Sequence, residues 1–139
     1  MDRTSSPPRK PLPQVGVKLD SNPFENLDRD YRVLEWYDGP LLSCARFNES
    51  DQWYVVRWAD VDDKYNRWII YDVTPEDLEK ISSRSNGFSC REVIARAKTL
   101  HLVDIDNDIN QVATYLVTFG ELDAYGVLPD AGATYGVGD

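Results

Sequence analysis

Apolar and polar positions alternate with a period of two between Val33 and Val73, and that period predicts strands. Val33-Leu34-Glu35-Trp36-Tyr37 is rich in strand formers and runs into a turn at Asp38-Gly39-Pro40, where glycine allows positive φ and proline fixes the exit. Leu41 to Phe47 reads as a second strand, Asn48-Glu49-Ser50-Asp51 as a polar hairpin loop, and Gln52 to Ala59 as a third strand. In the third strand Tyr54, Val56 and Trp58 share one face, and Trp53, Val55 and Arg57 share the other. After Asp60 to Asn66, a fourth strand follows over Arg67 to Val73. Four consecutive strands with short links predict an antiparallel meander, in which Trp53 and Trp68 are candidate cross-strand neighbours.

The period then changes. In Thr74-Pro75-Glu76-Asp77 the threonine can accept a free backbone N–H, proline suits the first helical position, and two acids face the positive dipole end. Leu78 and Ile81 supply the apolar stripe of a short helix that Asn86-Gly87 can close. Ser89-Cys90-Arg91-Glu92 is a second start signal of the capping-box type, followed by Val93, Ile94 and Ala97 at helical spacing. Thr99 to Ile105 and Gln111 to Phe119 then read as two more strands around an Asp106-Asn107-Asp108 turn. The pattern predicts an α+β fold, an antiparallel sheet of about six strands with two short helices packed on one face.

The ends differ from this core. Pro7, Pro8, Pro11 and Pro13 fall close together, and residues 1–28 are expected to form a disordered, Pro-rich basic arm with polyproline II character. Pro8-Arg9-Lys10-Pro11 matches the loose PxxP pattern that aromatic grooves read. Residues 29–130 are expected to make a single α+β domain, and 131–139 a flexible tail.

Charge sharpens the picture. Over 139 residues, 15 Lys and Arg against 24 Asp and Glu give 15 − 24 = −9. Arg3, Arg9, Lys10 and Lys18 against Asp2 and Asp20 make the first twenty residues +2, which leaves −11 for the rest. That balance argues against direct nucleic-acid binding through phosphates and favours a partner protein with a basic surface. No apolar run approaches the ~18 residues of a membrane span, the start lacks an apolar leader, and the expected location is cytoplasmic.

Catalytic chemistry is poorly represented. Cys44 and Cys90 read as reduced, partly buried thiols, and with the single His101 they make a poor zinc set. Alternation puts His101 on the face opposite Leu100 and Leu102. No phosphate-cradling glycine loop, nucleophile elbow or paired-His motif is present, and no cofactor is expected. Asp104, Asp106 and Asp108 resemble the opening of a calcium loop, but Ile109 stands where such a loop needs glycine and Tyr115 where it needs an acid. These three are a weak metal candidate and otherwise an acidic turn.

The candidate partner-binding residues are the acidic positions Asp60, Asp62, Asp63, Asp104, Asp106 and Asp108, together with Trp53, Arg57, Arg67 and Trp68. Acidic loops steer a basic partner, and a partly exposed Trp/Arg patch anchors it.

Glu35-Trp36-Tyr37-Asp38-Gly39-Pro40-Leu41-Leu42, Tyr54 to Asp60, Arg67 to Thr74 and Ser89-Cys90-Arg91-Glu92 together resemble a small prokaryotic domain-of-unknown-function family, DUF6575, over about residues 33–130. The resemblance implies a bacterial or mobile-element domain and carries no activity with it. The expected function is a non-enzymatic, acidic protein-binding module, in roles such as an immunity-like inhibitor, a defence accessory or a phage counter-defence factor. The alternatives are a small metal-dependent hydrolase built on Asp104, Asp106 and Asp108, and a DNA mimic.

Overall fold

The computed structural model describes residues 10–24, 32–36, 40–46, 51–83, 87–106 and 110–135; over 32–36 and 40–41 the backbone alone is described. Seven strands, β1 (Val17–Lys18), β2 (Arg32–Trp36), β3 (Pro40–Arg46), β4 (Trp53–Val61), β5 (Tyr65–Val73), β6 (Leu100–Asp106) and β7 (Gln111–Val117), form one sheet in the order β1-β7-β6-β5-β4-β3-β2. Every neighbouring pair is antiparallel. Helices α1 (Pro75–Ser82), α2 (Cys90–Arg96) and α3 (Phe119–Tyr125) accompany it, so the α+β class holds, with one strand and one helix more than expected among the described residues.

Both predicted helix starts form as their chemistry requires. The Thr74 side chain accepts from the Asp77 N–H at 3.1 Å and the Ser89 side chain from the Glu92 N–H at 3.3 Å. The first helix ends at Ser82, short of the expected close at Asn86-Gly87; Asn86 lies outside the described residues. α3 is a correction to the expected strand up to Phe119. Thr118 and Glu121 bond reciprocally as a capping box, and Gly126, at φ 89°, ends the helix in the left-handed conformation.

The three helices cover one sheet face. Ile81, Val93, Ile94 and Leu122 pack there against Val55, Ile69, Tyr71 and Leu102 in the larger core. The smaller core on the opposite face joins Ala45, Val56, Ile70, Val103 and Ile105 to Phe24 from the arm. With both faces covered, the central strand β5 is buried at Arg67, Ile69, Ile70, Tyr71 and Val73.

The described parts of the arm and tail depart from expectation, while 1–9, 25–28 and 136–139 lie outside the described residues. Val17 and Lys18 pair with Leu116 and Tyr115, and the Leu19 N–H donates to the Thr114 carbonyl at 2.8 Å, so part of the arm joins the sheet. Gly16 permits this: at φ +76° a Cβ here would lie 2.2 Å from the Leu116 carbonyl oxygen. Residues 131–135 are likewise structured: the Tyr135 N–H donates to the Phe88 carbonyl, and its side chain is buried. Local composition at both ends signals flexibility, whereas a sheet edge and a core vacancy supply the partners that order them.

Pairing also corrects the tryptophan expectation. Trp53 faces Val73, and the cross-strand pair is Trp58 with Trp68. The predicted link over Asp60 to Asn66 is mostly strand, with Val61 opposite Asn66, because a bulge between Trp58 and Asp60 absorbs one residue and lets both strands continue.

Candidate functional site: the acidic end of the sheet

The bulge in β4 has a chemical result. Beyond it Asp60 becomes the partner of Arg67, which in turn is the partner of Asp104 on β6 and so of Ala113 on β7. One rung across four strands therefore reads acid, base, acid, alanine. The Asp62–Lys64 turn between β4 and β5 and the far end of β6 lie at this same end of the sheet, since Tyr65 is opposite Asp106. Two acidic segments, distant in sequence, thus converge around one arginine.

Arg67 is fully buried, and its guanidinium grips Asp104 with both planar edges matched: Nε to Oδ1 at 2.7 Å and Nη2 to Oδ2 at 2.9 Å. Nη1 is turned elsewhere, donating to the Pro13 carbonyl at 2.6 Å and to the Tyr125 hydroxyl at 3.3 Å. The Tyr125 hydroxyl donates onward to Asp60 Oδ2 at 2.6 Å. Tyr115 and Tyr125 place their rings 5.2 and 5.7 Å from the guanidinium carbon. Burial works against the Arg67 charge, but Asp104 outweighs it and the guanidinium titrates above its ordinary range. Burial, reinforced by Asp60 against the opposing pull of Arg67, pushes the Tyr125 hydroxyl up to about 12, so it remains a proton donor at neutral pH.

Asp62 organises the turn and holds the arm. Its Oδ1 accepts from the N–H groups of Lys64 and Tyr65, both at 2.8 Å, and its Oδ2 accepts from the Leu12 N–H at 3.1 Å. Burial raises its pKa, but these three N–H donors and Arg67 more than reverse that, leaving the carboxyl below its ordinary value of 3.8. A carboxylate depressed in the folded state contributes stability that is complete above the unfolded pKa and is lost as pH falls through the folded one. The Leu12 amide resonance is therefore expected to stay constant from neutral pH down to the ordinary carboxylate range and to move only in stronger acid. In Asp62→Asn that acid step should be gone.

Between arm and sheet lies a groove of about 430 Å³, lined by Leu12, Lys18, Asp62, Tyr65, Asp104 and Tyr115 among others. A neighbouring space of about 580 Å³ is bounded by Lys10, Pro11, Pro13, Asp60 and Val61.

The expected partner-binding residues do not form one surface. Asp60, Asp62, Asp63, Asp104 and Asp106 come together at the acidic end, and Asp63 is exposed there. Asp104 is buried, with both oxygens accepting from Arg67, and Asp106 Oδ1 accepts from the Asn110 N–H at 2.9 Å. A divalent ion at this trio would have to displace a guanidinium, and Asp108 lies outside the described residues. Arg67 is interior rather than presented, which corrects its assignment to an anchoring patch. Arg57 is half-buried on the helix side, where Nη2 donates to Cys90 Sγ at 3.4 Å and the guanidinium lies 5.9 Å from the Tyr135 ring. Trp53 packs on the helix-side core with Arg46 over its ring, whereas Trp68 belongs to the opposite face. On that opposite face Trp58, paired with Trp68, is 37% exposed, and its indole N–H donates to Asn66 Oδ1 at 2.9 Å.

Cys44 and Cys90 are buried and not joined in a disulfide, and burial lowers the His101 pKa against the opposing pull of Asp72. His101 does face away from Leu100 and Leu102, with Phe24 edge-on to its ring. The sequence reading missed Leu12, Pro13, Tyr115 and Tyr125. For Tyr125 the Thr118-x-x-Glu121 spacing was an available signal; for the others no local signal exists. Among the described residues no helix is long and apolar enough to cross a membrane. Comparison with family models, with curated proteins and with solved structures found no match to this chain.

Proposed function

We propose that this chain is a non-enzymatic protein-binding module whose acidic sheet end meets a basic surface on its partner, in a role such as an inhibitor or an accessory of prokaryotic defence or counter-defence. One observation carries the reading: Asp60, Asp62 and Asp63 on one hairpin and Asp104 and Asp106 on another strand converge at one end of a sheet in a chain of net charge −9. A concentrated field of one sign raises encounter rates with oppositely charged partners and rejects like-charged ones. The division of labour among these acids supports it. Asp104 and Asp60 are tied to Arg67 and Tyr125 and act as scaffold, while Asp63 stands exposed at the turn. Trp58, one rung from Asp60 and on the opposite sheet face, offers a half-open aromatic anchor near this end.

The test uses the native chain and an Asp63→Lys variant as baits in the cells that carry the protein, with captured proteins quantified by mass spectrometry. A basic protein should be held by the native chain and reduced about tenfold by the variant and by raised salt, because exposed charges act through a screened field. Capture indifferent to Asp63→Lys, or turnover of a small molecule abolished by altering one carboxylate, overturns the reading.

A further inference from the structure

We infer that the acidic end is a docking groove for a basic, proline-containing peptide segment of a partner protein, and that Lys10–Pro13 of the chain's own arm is its resident occupant. This rests on the binding-module reading above and names the ligand class for that same site.

The contacts that hold the arm here are of a kind any such segment can make. Asp62 accepts from the Leu12 N–H and Arg67 donates to the Pro13 carbonyl, so both hydrogen bonds go to backbone. A polyproline-type strand has no internal hydrogen bonds, which leaves its N–H and C=O groups free for a groove to read. Leu12 and Pro11 line the space beside Tyr65 and Tyr115, the aromatic surface that proline-rich segments use.

Arg67 makes the groove selective and ready. Two of its nitrogens are clamped by Asp104, and this two-point grip, which does not involve the arm, directs Nη1 toward the carbonyl position. Preorganised donors bind without the cost of ordering. The charge also matches: the first twenty residues are +2 and the remainder −11, and Lys10 and Asp60 line one of the two spaces that flank the arm, Lys18 and Asp62 the other.

The resident segment is held so that it can exchange. β1 has two residues, Lys10, Pro11, Pro13, Gln14, Val17 and Lys18 are exposed, and the seat at Gly16 tolerates no Cβ. A tethered occupant nevertheless competes at an effective concentration of roughly millimolar, which masks the groove against weak ligands. A partner segment gains access when it binds more strongly than this self-ligand or when the arm is drawn away.

The experiment measures binding of a fluorescent peptide with the sequence of residues 7–19, and of a scrambled control, to three full-length chains: native, Gly16→Ala and Leu12→Pro. Gly16→Ala sets a Cβ against the Leu116 carbonyl, and Leu12→Pro removes the N–H that Asp62 accepts; both changes lie in the arm and leave Asp62, Tyr65, Asp104 and Tyr115 on the sheet side of the groove unchanged. Both variants should bind the peptide at least about tenfold more tightly than the native chain, and none should bind the scrambled control comparably. Equal affinity for all three chains, or binding to none, overturns the inference. Sedimentation of the two variants gives the remaining outcome: arm-exchanged dimers that exclude the peptide would make a second copy the occupant and overturn the assignment to a partner. Peptide failure alongside capture that still depends on Asp63 removes the groove and leaves the binding-module reading intact.

Discussion

Arg67→Met is expected to destabilise the fold by about 3–5 kcal/mol, the cost of leaving one partner of a buried ion pair uncompensated. The geometry makes this position severe. Asp104 is 4% exposed and receives both of its strong hydrogen bonds from the one guanidinium. The loss spreads, because the same guanidinium supports the Pro13 carbonyl and the Tyr125 hydroxyl. In urea unfolding followed by tryptophan fluorescence, the midpoint should fall sharply at nearly constant slope. Replacing the pair together, Arg67→Met with Asp104→Leu, should recover most of the loss, since two apolar side chains leave no buried charge behind. A single variant no less stable than the double would show that water reaches Asp104 and that the pair is not sealed.

Tyr135→Ala should be comparably damaging, at about 3–5 kcal/mol, the range for emptying a large aromatic site in a core. Tyr135 is 1% exposed, and its hydroxyl lies 2.6 Å from that of Tyr71, which is itself fully buried. Burial pushes both phenols above their ordinary range, so the pair stays neutral and one donates to the other. Tyr135→Phe isolates the polar part: it keeps the packing and removes one partner of the Tyr71 hydroxyl, which Arg57 still serves, at about 0.5–1.5 kcal/mol. Thermal unfolding of the three chains should therefore rank native above Phe above Ala. A tail that merely drifted over the surface would show no effect from either change, which makes this the direct test of residues 131–135 as a core element.

The acidic end was half legible in the chain. Asp60, Asp62, Asp63, Asp104 and Asp106 are visible as two acidic segments, and turn chemistry places them at strand ends. That the two ends coincide is a matter of strand order and register, and here β5 lies between the two segments and pairs with both. Arg67 illustrates the limit most clearly. By alternation it is a strand residue on one face, equally fit for solvent or core; its burial follows from an aspartate 37 residues away, opposite it in register. Trp53 and Trp68 fail as neighbours for a related reason. Antiparallel pairing runs outward from the turn, so Trp68 near it meets Trp58, and Trp53 at the far end of β4 meets Val73.

The arm shows the same boundary from the other side. Its prolines and charges forbid a regular element of its own, and that inference is sound as far as a free chain goes. What orders residues 10–24 is the open edge of β7 and a vacancy over the second sheet face that Phe24 fills at 2% exposure. Neither feature exists until the remaining strands have assembled.

By itself the sequence determined the local chemistry: where alternation makes strands, where Thr74 and Ser89 cap helices, and how the charge divides into a basic arm and an acidic body. Caps and alternation act over a few residues, so a linear reading suffices for them. Only the tertiary structure decided which acids meet, which arginine they enclose and what lies across them. Antiparallel strands satisfy their hydrogen bonds with almost any neighbour, and the choice among neighbours is made by side chains that are distant along the chain and adjacent only in the fold.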